Sequence, residues 1–214
     1  MLWEEYAATW SGLHGGFDPR RASFLVRGWV RLAYGCGSWL TRRRVGPMAV
    51  TTAGLFLCLL VPAATVLGRP GLLLAAVLAL LAALADSMDG AVAVISGRTT
   101  KLGYVYDSVA DRLGEAAWLT AFWLAGTPGW LVVIAGALSW LHEYARARAS
   151  AAGMSEIGAV TVAERPTRVL VAIFGLLGAA VLPVAATAAT GVWLALAVVG
   201  AVQLAVAVRR GLAG

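Results

Sequence analysis

Charged side chains are too few here for a water-soluble domain. They make up 13% of the 214 residues against 60% apolar, and mean hydropathy is +0.80, where soluble domains carry about 25% charge. Cysteine and histidine are scarcer still, two of each. Cys36 and Cys58 make no disulfide framework, and Cys58 lies inside an apolar run, so neither implies a redox compartment. The opening MLWEEYAATW has no basic start, compact apolar core or small-residue cleavage site, and no cleaved leader is expected. The basic excess of +6 is spread as arginines through apolar runs. Nucleic acid is therefore excluded as the main partner, and anionic lipid and phosphate-bearing substrates are favoured.

What is present is a series of long apolar segments. Runs at 46–68, 70–97, 102–126, 128–153, 165–185 and 187–208 each reach the roughly 20 residues that cross a hydrocarbon core. Gly68-Arg69-Pro70, Gly126-Thr127-Pro128-Gly129 and residues 185–191 read as turns on one side. Residues 97–101 and 152–165 connect on the other. Arg42, Arg43, Arg44, Arg98, Lys101, Arg165, Arg168, Arg209 and Arg210 fall on that second side, with Arg69 opposite. Positive loops stay cytoplasmic, so both termini are expected there. Residues 1–45 combine Trp3, Trp10, Trp29 and Trp39 with Arg20, Arg21, Arg27 and Arg31. Within them, 23–40 reads as an interfacial amphipathic helix. The expectation is an all-α polytopic protein of the cytoplasmic membrane. Six transmembrane helices (46–210) follow an N-terminal interfacial segment (1–45), with abundant glycine and alanine suiting close helix packing.

Four aspartates interrupt this pattern in the stretch 86–111, DSMDGAVAVISGRTTKLGYVYDSVAD. An acid within a membrane helix costs at least a few kcal/mol and marks a functional site by default. Asp86 and Asp89 are spaced i, i+3 and Asp107 and Asp111 i, i+4, so on helices each pair projects from one face. At 1.5 Å per residue, Asp89 lies roughly 12 Å before the end of its span and Asp107 roughly 8 Å after the start of the next, which brings the pairs level. Carboxylates that cannot neutralise one another call for cations. Hard oxygen ligands without His or Cys favour Mg2+ or Mn2+ over zinc or copper. Gly90 and Gly103 offer close approach to a ligand or a helix.

These residues resemble the CDP-alcohol phosphotransferases, a family that includes phosphatidylinositol-phosphate and phosphatidylglycerophosphate synthases. The family pattern is D-x2-D-G-x2-A-R-x8-G-x3-D-x3-D, and Asp86, Asp89, Gly90, Ala93, Gly103, Asp107 and Asp111 meet it at every spacing, with Val94 in place of Arg. Pro47 and Thr51 are similar to a P-N-x-x-T entry to the first span, with Met48 for Asn. Tyr144, Arg146, Ala147, Arg148 and Ala149 resemble a Y-x-K-A-R-A stretch, and Glu164, Arg165, Pro166 and Arg168 match E-R-P-x-R. The resemblance covers roughly residues 46–170.

It implies a phosphatidyl transfer from CDP-diacylglycerol to a soluble phosphorylated alcohol, inositol phosphate first and glycerol 3-phosphate second, with release of CMP. Asp86, Asp89, Asp107 and Asp111 would hold two Mg2+ or Mn2+ ions, and Asp111 would also act as general base. Thr51, Gly90, Ala93 and Gly103 would line the CDP site. Arg146, Arg148, Arg165 and Arg168 would take the acceptor's phosphate through guanidinium forks, although Arg146 and Arg148, two apart, cannot share a helical face and one of them should meet lipid headgroups. Arg112 and Glu115 read as a supporting i, i+3 salt bridge, and His142 as a satisfied interface histidine. The family's homodimer is compatible with the small-residue faces. Two alternatives stand beside this: a divalent-cation or proton-coupled transporter, which would need polar lining through the outer half, and a weakened paralogue in which the Val94 and Met48 departures reduce activity.

Overall fold

The computed structural model describes residues 1–154 and 161–212. Among them there are eight helices and no strands: α1 (Trp3–Leu13), α2 (Phe24–Arg42), α3 (Pro47–Thr65), α4 (Arg69–Ser96), α5 (Lys101–Leu124), α6 (Gly129–Ala151), α7 (Arg165–Val181) and α8 (Val184–Leu212). Helices stand where the six apolar runs and the amphipathic stretch lie, but residues 185–191, read as a turn, lie inside α8, and the chain turns instead at Leu182 and Pro183. The connection expected at 152–165 falls partly outside the described residues. Helix α1 was not expected; no periodicity marks it.

Three helices, Pro47–Thr65, Arg69–Ser96 and Val184–Leu212, are long and apolar enough by length and composition to cross a membrane. The other three apolar runs are weaker for physical reasons. Helix α5 holds Asp107, Asp111, Arg112 and Glu115, α6 holds His142, Glu143, Arg146 and Arg148, and α7 is 17 residues long. Many large apolar side chains stand exposed, including Phe56, Leu73, Val77, Trp123, Val133 and Phe174. Water would penalise apolar surface on this scale; a bilayer would not. The chain is a membrane protein on this composition.

The chain divides into two compact units, Met1–Leu57 with Leu81–Asp111, and Cys58–Leu80 with Arg112–Gly214. In the first, α1 is held by aromatic packing rather than by its own propensity. Tyr6, Val30 and Ala91 form a buried cluster against which Trp3, Trp10, Tyr34, Val94 and Ile95 pack. The Tyr6 and Tyr34 rings lie 5.1 Å apart, and the Tyr34 hydroxyl donates to the Met1 carbonyl (3.0 Å). Helix α2 approaches α4 closely because Gly37 has no Cβ: one built there would stand 2.8 Å from the Ala91 Cβ. Trp29 Nε1 donates to Ser87 Oγ (2.9 Å) and fixes the register of the two helices.

In the second unit, Trp118, Phe122, Leu176 and Trp193 are fully buried, and Trp193 Nε1 donates to Ser139 Oγ (2.8 Å). Gly175 on α7 lets α8 and α5 close in, since an added Cβ would lie 2.6 Å from both the Ala189 Cβ and Phe122 Cζ. Gly175→Ala is accordingly expected to destabilise the chain by about 1–3 kcal/mol through overpacking, read as a lower Tm in detergent. An unchanged Tm would mean that α7 can shift at no cost.

Candidate metal centre and arginine network

The acidic site is built by a hairpin. Helix α4 ends at Ser96 because Gly97 takes a left-handed conformation (φ +66°), which glycine adopts without strain. Three residues on, Thr100 Oγ1 accepts the Gly103 N–H (2.9 Å) and caps α5. So short a connection returns the chain antiparallel, and it sets Asp86 and Asp89 on α4 against Asp107 on α5. One carboxylate oxygen from each of the three lies within 4.8 Å of the others.

Asp89 is buried, at 6% exposure, while Asp86 and Asp107 are half-buried. Two unit charges at that separation repel by roughly 3 kcal/mol at an effective dielectric of ~20, a repulsion that a bound cation would relieve. The donor set is oxygen only and comes from two helices, which fits a hard divalent ion. Asp111, half-buried, follows one turn beyond Asp107 and is not among the three.

Of the residues expected at a CDP site, Thr51 is buried on α3 and donates its hydroxyl to Asp89 Oδ2 (2.6 Å). It thus holds the buried carboxylate in place. Open space surrounds Gly90 where a Cβ would be, while one at Gly103 would meet Thr100 Oγ1 at 3.0 Å. Ala93 is half-buried on α4. A further link, unexpected from the sequence, joins Thr52 on α3 to the Tyr106 hydroxyl on α5 (2.7 Å), beside Asp107. Val94 packs against the α1 and α2 aromatic cluster.

The arginines belong to the second unit. Arg168, 2% exposed, donates through Nη1 to Glu115 Oε2 (3.0 Å) and through Nη2 to Glu143 Oε1 (2.6 Å). Arg112 pairs with Glu115 (3.0 Å), as its i, i+3 spacing predicted, and with Glu143 (3.3 Å). Two arginines and two glutamates thereby close a neutral ring across α5, α6 and α7. Arg146 hydrogen-bonds Glu164, which also accepts from the Thr161 N–H and hydroxyl (both 3.0 Å). His142 is buried with Nε2 at 3.2 Å from Thr161 Oγ1, while its Nδ1 stands 3.7 Å from Glu143 Oε1 without a hydrogen bond, so the histidine expected to be satisfied is only half so. Arg165 opens α7 half-buried, and Arg148 is exposed on α6. The sequence offered no sign of Glu143 and Glu164 as partners, because 25 and 18 residues separate them from Arg168 and Arg146.

Burial alone would raise the Glu164 carboxyl, but the hydrogen bonds from Arg146 and Thr161 outweigh it and hold the group below the ordinary glutamate value. A lowered folded pKa gives stability that is complete above the unfolded value, ~4.3, and is lost as pH falls through the folded one. The Tm of the parent should therefore decline on acidification through that window, and Glu164→Gln should flatten that limb. Identical acid limbs would show that the 161–164 turn is held by other contacts.

A sequence model described as CDP-alcohol phosphatidyltransferase matches residues 44–206. The chain is 34% identical over 100 residues to the archaetidylinositol phosphate synthase of Pyrococcus horikoshii, covering 46% of this chain and 53% of that protein. It is 37% identical over 100 residues to the phosphatidylinositol phosphate synthase of Mycolicibacterium smegmatis, 43% of this chain and 44% of that one. The chain thus spans about half the length of the curated relatives it matches. In structure it is similar to Mycobacterium tuberculosis phosphatidylinositol phosphate synthase with CDP-DAG bound, at TM-score 0.69 and 24% identity over 84% of this chain and 94% of that chain. The same enzyme in complex with manganese and citrate gives TM-score 0.68 at 24% identity, over 82% and 88%. At that identity the structural likeness is one of fold.

Proposed function

The chain belongs to the CDP-alcohol phosphatidyltransferase family, and on that premise we propose that it transfers a phosphatidyl group from CDP-diacylglycerol to a phosphorylated alcohol, inositol phosphate before glycerol 3-phosphate, releasing CMP. The observation that carries this reading is the meeting of Asp86, Asp89 and Asp107 from two helices within 4.8 Å. In the proposed arrangement α3 to α8 span the cytoplasmic membrane as one catalytic domain (46–210), both termini are cytoplasmic, and residues 1–45 form an interfacial segment with α2 at the membrane surface.

Asp86, Asp89, Asp107 and Asp111 would hold two Mg2+ or Mn2+ ions. Bound there, the ions supply charge neutralisation for the diphosphate as its phosphoanhydride opens. Thr51 fixes one oxygen of Asp89 and so aims the other. Gly90 leaves room beside the carboxylates for the nucleotide, with Ala93, Gly103 and Thr51 around it. Asp111 takes the proton of the acceptor hydroxyl. That oxygen then bonds to the lipid-bearing phosphorus, the bond to the bridging oxygen breaks, and the electron pair leaves with CMP.

Arg146 and Arg165 take the acceptor's phosphate. Arg168, held by two glutamates, fixes the start of α7 behind them. Arg148, two residues from Arg146, belongs to another face of α6, and is the one of the pair that we assign to lipid headgroups. The family matched over residues 44–206 is one of phosphatidyltransferases, and we carry the transferase forward over the transporter. A weakened paralogue remains a second reading, favoured by Val94, whose apolar packing leaves no signature arginine at the nucleotide site.

The test is CMP release by the detergent-purified chain from CDP-diacylglycerol with Mg2+ or Mn2+ and each acceptor in turn. Metal-dependent release stimulated by a phosphorylated alcohol is expected. No release with any acceptor or metal would reject the transferase.

A further inference from the structure

Between α6 and α8 runs a groove of ≈ 510 Å3, within the ~300–1,000 Å3 range of sites that take one small molecule. It extends along α6 from Leu141 to the C-cap Ala152, roughly 16 Å of chain at the helical rise. Its walls are mainly apolar, Ala149 of α6 and Leu204, Ala205 and Val208 of α8 among them. Two polar residues border it, His142 and Arg148, and they differ in kind. His142 is buried and engaged with Thr161. Arg148 is exposed in the last turn of α6.

Arg209 and Arg210 occupy the last turn of α8, next to the lining residue Val208, and no acidic residue lines the groove. Arg146 hydrogen-bonds Glu164, whereas Arg148, two positions on, is rotated about 200° around the helix. An apolar channel with a cationic mouth suits a ligand that is apolar along its length and anionic at one end. A soluble phosphate would leave the channel empty, and a zwitterionic lipid would bring no net negative charge to the arginines.

We propose that the groove between α6 and α8 holds an acyl chain of an anionic phospholipid whose headgroup phosphate is bound by Arg148. This rests on the membrane placement proposed above and not on the transfer chemistry. The lipid is a resident of the groove, distinct from a donor at the aspartates.

The test titrates the full chain in detergent, without nucleotide or metal, with dioleoylphosphatidylglycerol or dioleoylphosphatidylcholine and counts retained lipids by native mass spectrometry. The parent should retain one phosphatidylglycerol and prefer it about fivefold, the effect of one basic residue at an anionic surface. Arg148→Gln, an exposed change that spares the core, should abolish the preference. Ala205→Trp should fill the groove and release both lipids. Tail-less glycerol phosphate should not compete.

An undiminished preference in Arg148→Gln would overturn the proposal, as would competition by glycerol phosphate. Cross-linking of Ala205→Cys to its own counterpart would also overturn it by placing a second copy in the groove. Recovery of the chain without detergent would sink the membrane placement and the groove together. A chain inactive toward CDP-diacylglycerol that still keeps phosphatidylglycerol through Arg148 would support the groove while the transferase fails.

Discussion

Exchanging Asp89 for asparagine will lower metal-dependent CMP release roughly 10³-fold and will not lower the stability of the metal-free chain. Both results follow from the same three carboxylates. A divalent ion supplies several kcal/mol of transition-state charge stabilisation, and each 1.36 kcal/mol is a factor of ten in rate, so loss of the most buried ligand removes about three decades. In the metal-free chain, the same carboxylate is repelled by Asp86 and Asp107 within 4.8 Å. Asparagine keeps the shape and can still accept the Thr51 hydroxyl that now reaches Asp89 Oδ2, while the repulsion disappears. Adding Mn2+ should raise the Tm of the parent, by binding to the folded state alone, and should leave the variant unmoved. A variant that retains both turnover and the Mn2+-induced shift would remove Asp89 from the site.

The second large effect concerns the ring that joins α5, α6 and α7. Glu115→Ala leaves two arginines sharing Glu143. Arg168 is 2% exposed and cannot recover hydration. Breaking a buried pair by removing one partner costs about 3–5 kcal/mol, whereas replacing both by apolar groups is often nearly neutral. Glu115→Ala should therefore lower the thermal midpoint in detergent sharply. Glu115→Leu combined with Arg168→Met, which leaves the Arg112–Glu143 pair intact, should recover most of that loss. If the double variant were as unstable as the single one, Arg168 would be contributing through something other than its two glutamates.

Local spacing made much of this legible. The i, i+3 interval put Asp86 and Asp89 on one face of α4 and the hairpin brought Asp107 to them, while Asp111, the other half of the i, i+4 pair, is not among the three; the glycines at positions 68, 97 and 126 marked helix ends that do adopt positive φ. The Arg112–Glu115 pair was equally local. What remained hidden depends on tertiary packing. Helix α1 has no strong apolar face of its own, and it is ordered by Tyr34, Val30 and Ala91 from elsewhere in the chain. Val94 reads in sequence as a lost arginine. In the fold it is an apolar contact of that cluster, which α1 and α2 build from far back in the sequence. The glutamate partners of Arg146 and Arg168 were out of reach for the same reason, as was the Thr51–Asp89 bond, which spans 38 residues.

We propose above that carboxylates from α4 and α5 share divalent ions. Anomalous diffraction at the manganese edge, from crystals of the full chain grown in Mn2+, tests it most directly. The expected result is density between the two helices within ligand distance of Asp86, Asp89 and Asp107. Ordered aspartates with manganese bound elsewhere, or with none, would contradict it.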